Sequence, residues 1–332
     1  MIWLTWRQMR TQTIWTTGLL AAAAAYLLWL AWAIRDYYDL NVTNCTSECT
    51  ADNARRLMSQ QFELTLMLAG MLVIAVPAFI GAFWGAPLIS RELETGTHRL
   101  AWTQTITRTH WLAVKLTIVG GASILASGAL ALLLTWATEP YDAAVDNRFT
   151  AFTFAARNLA PFGYAALAFS IGITVGLLTR RTLVAMAATM IAFLLFQILM
   201  ANALRPHFAE PVTATYEFAE VHTAGSADTV GIGPDGAAVQ GFLLPGAWVL
   251  TDTAPVVDTT GTQITMEQFE TCEANGVTDM DECFTGLGAT FTVQYQPADR
   301  YWTFQWIEAG IALALSGILL AIAFWKLPRG VN

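Results

Sequence analysis

Apolar residues run through this chain in six long stretches: Ile14–Ile34, Leu64–Ile89, Leu112–Trp136, Phe162–Leu178, Leu183–Leu204 and Ile307–Leu327. Polar and charged residues gather between them. Crossing a hydrocarbon core of about 30 Å takes roughly 20 helical residues, and the fourth stretch reaches that length if it begins near Ala155. Lys, Arg and Asp enter the stretches only near their ends, Lys115 being the deepest. Backbone groups in lipid must be satisfied within the segment, so the stretches predict transmembrane helices and not buried strands. The first stretch follows Arg7 and Arg10 but is longer than the apolar part of a signal peptide, and five more follow it. It reads as a retained anchor.

Charge then orients the spans. With the N-terminus in the cytoplasm, the inner segments hold ten basic and two acidic residues, and the outer ones seven basic and twenty-one acidic, with Glu63 and Glu308 at span edges. The Arg180–Arg181 loop is short enough for its charges to count fully. The expected fold is an all-α integral membrane protein of the plasma membrane, with six spans and both termini cytoplasmic. An amphipathic N-terminal helix (1–13), with Trp3 and Trp6 at headgroup level, precedes the first span (14–34). An outer loop (35–63), the second span (64–89), a cytoplasmic loop (90–111) and the third span (112–136) follow. Next come an outer loop (137–154), the fourth span (155–178), a tight inner loop (179–182) and the fifth span (183–204). An outer domain (205–306), the sixth span (307–327) and a tail (328–332) complete the chain. Composition agrees: 13% of residues are charged, against about a quarter in soluble domains.

The outer domain, about a hundred residues rich in Thr, Val, Gly and Asp, is expected to be mixed α/β. Ala289–Gln296 alternates like a strand, Thr265–Ala274 and Asp279–Phe284 read as helices, and the apolar Gly241–Leu250 reads as a core strand. All four cysteines fall outside, where disulfides persist. Three connectivities are open, and Cys45–Cys49 with Cys272–Cys283 closes the shortest loops. Asp279, Asp281 and Glu282 read as a solvated acidic face, with a calcium site as the alternative.

Candidate chemistry is sparse. The four histidines lack metal-ligand spacing, so no metal site is expected, and no residue set suggests catalysis on this chain. No Gly-x-x-x-x-Gly-Lys-Ser/Thr run is present to cradle phosphates, and Gly231–Gly236 lacks the lysine and reads as a turn. The acidic outer face argues against nucleic acid as a partner. Glu63, Arg157 and Glu308 stand at outer span ends, either anchoring at the interface or pairing, Arg157 with one of the glutamates, as an outer gate. Gln197 and Asn202 read as glue between helices or as part of a translocation path. Pro77 and Pro87, with Gly70, Gly81 and Gly85, loosen the second span.

One cytoplasmic loop is long enough to receive a partner, Ser90–His110. Glu92 and Glu94 suit a helix start, and Leu93, Thr97, Leu100 and Ala101 share a face, predicting a short amphipathic helix. Arg91-Glu-Leu-Glu-Thr-Gly-Thr-His-Arg-Leu-Ala-Trp-Thr-Gln-Thr105, with Arg108 and Trp111–Lys115, resembles the cytoplasmic loop of ABC-2-type transporter permeases, most closely their actinobacterial branch. Trp3–Gln8 and Tyr295–Glu308 look similar to the same branch. The resemblance implies a coupling helix at Arg91, Glu92, Glu94, Gly96, Thr97, Arg99 and Leu100 that docks on a cytoplasmic ABC ATPase. It further implies two ATPase copies holding Mg-ATP, no cofactor on this chain, and a second permease copy or a related permease. The expected function is the permease subunit of an exporter for an amphiphile such as a lipid, peptide or antibiotic. The alternative is a mechanotransmitting or sensory protein whose outer domain moves without cargo.

Overall fold

The first apolar stretch lies within one unbroken helix, α1 (Ile2–Tyr38), prolonged by a π-helical turn at Asp39–Thr43. The amphipathic segment, expected over 1–13 as a separate element, is continuous with the span from Ile2 onward. No Gly or Pro lies between Arg10 and Ile14 to break the helix. The computed structural model describes residues 2–45, 50–96, 107–221, 227, 229–233 and 236–330, with the backbone alone for 2–13, 15, 52 and 328–330.

Thr50 caps α2 (Ala51–Ile80), its Oγ1 accepting the Asn53 N–H at 3.2 Å. Pro77 lies inside this helix, and a π-helical turn at Gly81–Gly85 leads into α3 (Ala86–Glu94). Proline withholds an N–H from the ladder, and a widened turn is a common way for a helix to accommodate such a disruption. The third stretch comprises α4 (Arg108–Lys115), a π-helical turn at Leu116–Gly120, and α5 (Gly121–Ala137). Two short helices, α6 (Glu139–Val145) and α7 (Ala151–Ala156), occupy the segment read from sequence as a polar loop. They are followed by α8 (Ala160–Thr179) and α9 (Thr182–Leu199).

Among the described residues, six helical stretches are long and apolar enough to cross a membrane: Thr16–Thr43, Asn53–Glu94, Arg108–Ala137, Ala160–Thr179, Thr182–His207 and Ala298–Leu327. They are not equivalent. Of the most apolar window in α8, 78% is buried within the chain, against 22% for the first and fifth stretches. An all-apolar helix surface is the signature of burial on every side, so α8 is the axis of the helical unit. Its glycines permit the closest approaches. A Cβ on Gly172 would lie 2.4 Å from the Gly81 carbonyl oxygen and 2.6 Å from the Ala86 nitrogen. The helical unit comprises Met1–Val145, Ala151–Ala203 and Phe304–Asn332.

A second unit comprises Asp146–Thr150 and Leu204–Thr303. Its antiparallel strands are β1 (Val212–Glu217), β2 (Thr229–Gly233), β3 (Gly236–Gln240), β4 (Trp248–Val249), β5 (Thr253–Val257) and β6 (Thr290–Gln296). The order is β1-β6-β5-β3-β2, with β4 and β5 sharing one edge of β6 at opposite ends. Helices α10 (Met266–Ala274) and α11 (Met280–Gly286) are joined by the Cys272–Cys283 disulfide. Cys45 also carries a disulfide, and Cys49 lies outside the described residues. Phe218, Phe242, Val256, Phe284, Phe291 and Val293 form part of a core of this unit's own. The strand expected over Gly241–Leu250 shrinks to the two residues of β4. Leu244-Pro-Gly-Ala247 turns instead, with Gly246 at φ +71° and the Ala247 N–H donating to the Leu244 carbonyl. The last helix is α12 (Tyr301–Gly330).

Candidate functional site

The end of α3 is tied to several neighbouring helices. Glu92 reaches the buried Lys115, Oε1 to Nζ at 2.6 Å. The same ammonium donates to the Leu88 carbonyl at 3.3 Å and lies 4.3 Å from the centre of the Trp111 ring. Glu94 takes a different partner. Its Oε2 accepts from both the N–H and the hydroxyl of Thr182, at 3.0 and 2.7 Å. Arg181, the residue ahead of α9, supplies no side-chain cap, so a carboxylate from another helix performs that task at a positive helix end. Ser90, fully buried, adds a contact to the Thr182 hydroxyl at 3.3 Å. A Cβ on Gly176 of α8 would meet the Ala86 carbonyl oxygen at 2.8 Å.

Arg91 and Glu94 are exposed at this end, and Gly96 is half-buried with φ +73°, a conformation glycine adopts readily. Thr97, Arg99 and Leu100 lie outside the described residues. The end of α3 thus engages three further helices: Lys115 on α4, the α8 backbone, and Thr182 on α9. Below them Leu88, Ile89, Leu93, Trp111 and Leu112 share a core with Phe169, Ile173 and Leu177 of α8 and Leu327 of α12. Such a junction passes a displacement of α3 into several spans at once, because packed cores shift as units.

A second polar locus surrounds the break between α7 and α8. Asn158 sits there at φ +55°, its N–H donating to the Thr135 hydroxyl at 3.2 Å. The broken ladder leaves backbone groups open, and Gln305 of α12 fills them. Its Oε1 accepts from the N–H groups of Leu159 and Ala160 at 3.1 and 3.0 Å, and its Nε2 donates to the Phe154 carbonyl at 3.0 Å. Arg157 binds Asp142, one Nη atom lying 2.7 Å from each carboxylate oxygen. The partner is therefore neither Glu63 nor Glu308, the two alternatives raised by sequence position. Burial pushes the Tyr141 phenol up, a Ser59 hydrogen bond opposes the shift, and the charges of Glu63, Arg157 and Asp142 act on it. Glu63 is exposed on α2. Glu308 is no interfacial anchor, being fully buried and hydrogen-bonded to the Tyr164 hydroxyl. Gln197 keeps a buried Nε2 without a partner among the described residues, and Asn202 bonds back to Ile198 of its own chain segment.

Gln305, Asp142, Tyr164 and Thr182 carry these two loci and were not singled out from sequence. Lys115 was visible as the deepest cation in an apolar stretch. Among the described residues no group of His, Cys, Asp and Glu is arranged to hold a metal.

Comparison with known proteins yields one finding. A family model described as ABC-2 membrane transporter related matches residues 17–205, the helices from α1 through α9. No curated protein and no solved structure matches the chain.

Proposed function

The chain belongs to the ABC-2 membrane transporter related family, and from that premise we propose that it is the permease subunit of an ATP-driven ABC exporter in the plasma membrane. In this reading both termini are cytoplasmic and the second unit lies outside. The α3 end, at Arg91, Glu92, Glu94 and Gly96 with Thr97, Arg99 and Leu100 beyond it, receives the ATPase. Two ATPase copies hold the Mg-ATP, and a second permease copy or a related permease completes the pore. The cargo is an amphiphile of the lipid, peptide or antibiotic kind. The supporting observation is the junction itself: Glu92–Lys115 ties the two flanks of the loop to each other, and Glu94–Thr182 ties the first of them to α9. Closure of the ATPase around nucleotide then displaces α3 and, through it, α4, α8 and α9, exchanging inward- and outward-facing packings.

The test is capture of a Walker-motif ATPase by the tagged chain from its native membranes. Arg91→Glu reverses an exposed charge, whereas Glu92→Lys/Glu94→Lys also breaks the junction. Loss of capture in both, with unchanged gel filtration, supports docking here, and undiminished capture sinks it. A mechanotransmitting role is the second reading, favoured by the second unit having a core of its own. Proteoliposomes containing both subunits separate the two. Cargo movement coupled to hydrolysis supports export, and hydrolysis without movement supports the mechanical role.

A further inference from the structure

Spans one and two pack closely over only part of their length. Leu27, Leu30 and Ile34 of α1 meet Met58, Phe62 and Leu66 of α2 in one core. Further along, the space between them opens as a groove of about 590 Å³ bounded by Thr16–Ala23 on one side and Leu72–Trp84 on the other. Its cause lies in α2. Gly81 and Gly85 lack the Cβ atoms that would stand 2.5 and 2.8 Å from the Ala168 and Phe169 carbonyl oxygens. Together with Pro77 and the π-helical turn they let α2 lie directly on α8. The opposite face, carrying Leu72, Phe79 and Phe83, then stands clear of α1 and is exposed.

The chemistry of the groove restricts its occupant. Thr16 and Trp84 are its polar side chains, and the indole N–H donates to the Thr16 hydroxyl at 3.1 Å. Among the described residues no charged side chain lines the groove, and every other lining residue is apolar. The wall from Leu72 to Trp84 is thirteen residues, about 18 Å of helix from first to last, or just over half of a hydrocarbon core of about 30 Å. The groove thus has the depth of one leaflet. Its volume lies within the range of roughly 300–1,000 Å³ usual for small-molecule sites.

We propose that this groove holds the hydrocarbon tail of a single-chain amphiphile, the class of cargo that the permease moves. Its headgroup stays at the membrane surface nearest Thr16, the cytoplasmic one in the orientation above. The proposal rests on the exporter reading for the word cargo, and on the groove alone for binding.

The test uses the chain by itself, so it does not depend on any ATPase. The purified protein in phosphatidylcholine vesicles is irradiated with lysophosphatidylcholine bearing a diazirine on its tail, and the adducts are mapped by mass spectrometry. The expected result is saturable labelling concentrated on Thr16–Ala23 and Leu72–Trp84. Excess unlabelled lysophosphatidylcholine competes it away, and Ala23→Phe/Ala75→Phe, which fills the groove, lowers it severalfold. Competition in the unaltered chain decides the matter even where that variant folds poorly. Three results would overturn the proposal. One is adducts spread over the exposed faces of α9 and α12 as densely as in the groove. Another is equal competition by the same amount of added two-chain phosphatidylglycerol, which makes the occupant bulk lipid. The third is a Leu19→Cys/Phe79→Cys disulfide between two copies, which makes it a second chain. Failure here with ATPase capture intact removes the tail site and leaves the permease reading standing, and the converse holds equally.

Discussion

The seam between α8 and α12 and the seam between α1 and α2 are both helix pairs in lipid, yet they are built on opposite principles. Along α12, Gln305, Glu308 and Ser316 follow one another at helical spacing, each bonded to the α7–α8 region. Gln305 binds backbone at the break, Glu308 meets Tyr164, and Ser316 lies 2.6 Å from Ser170, while Thr174 donates to the Leu319 carbonyl. Gly163 lets the two backbones nearly touch, since a Cβ there would stand 2.9 Å from the Ala309 carbonyl oxygen. The α1–α2 seam has an apolar core at one end and an open apolar groove at the other. Apolar contacts between helices gain little from expelling lipid, which is as apolar as they are, whereas parted hydrogen bonds leave polar groups in hydrocarbon. The first seam should therefore move as one body, and the second should part at low cost.

Gln305→Leu is the most severe test of the polar seam. It keeps the bulk and strips partners from two N–H groups and a carbonyl, each orphaned buried group costing about 1–3 kcal/mol. Allowing for relaxation, thermal or denaturant unfolding in detergent should show a loss of about 2–4 kcal/mol. Gln305→Glu, which keeps an acceptor for Leu159 and Ala160 but withdraws the donor from Phe154, should fall between the two. Unfolding of the Leu variant at the unaltered midpoint would remove the clasp from the account.

Paired glycine substitutions come next in size. Gly163→Ala drives a methyl into the α12 backbone and should destabilise by about 1–3 kcal/mol. Gly18→Ala, in α1 near the groove, meets nothing within 4 Å and should stabilise by up to about 1 kcal/mol through helix entropy. Opposite signs for the same chemical change would sharpen the contrast between the seams. Equal losses would show that the α1 region is packed against something of comparable rigidity.

Much of this architecture was legible in the chain. Lipid demands about twenty apolar residues per crossing, so all six stretches could be read from length alone. The alternation in β6 and the helical spacing around Cys272 and Cys283 survived for a similar reason, being local. What stayed hidden depends on distant partners. Gln305 lies in a polar run before the last span that looks like an interface, and its meaning is set by a helix break about 150 residues earlier. Asp142 lay in a segment read as loop, so Arg157 was matched with carboxylates at span ends. Thr182 gave no signal, because a hydroxyl and an N–H at a helix start become a site only when Glu94 arrives from another helix. The Leu244–Ala247 turn was visible as Pro-Gly, but apolarity outweighed it in reading a strand.

The smallest predicted effect is also the cleanest measure of the polar seam. Ser170 and Ser316 are both buried, and either can donate to the Ala166 carbonyl while the other donates to its hydroxyl, so either serine alone can keep that acceptor satisfied. A double-mutant cycle with Ser170→Ala and Ser316→Ala isolates the hydroxyl–hydroxyl term from these shared bonds. Interhelical hydrogen bonds in membranes average about 0.6 kcal/mol by this method and reach about 1.7. A coupling near the lower figure is expected, because the altered helices still find backbone acceptors within their own turns. A coupling indistinguishable from zero would mean that Gln305, Glu308 and close packing at Gly163 hold the seam without the serines. Values above about 1.7 kcal/mol would mean that the hydroxyls are wired into the Tyr164–Glu308 pair about two turns away, making the seam a single network and not a row of separate bonds.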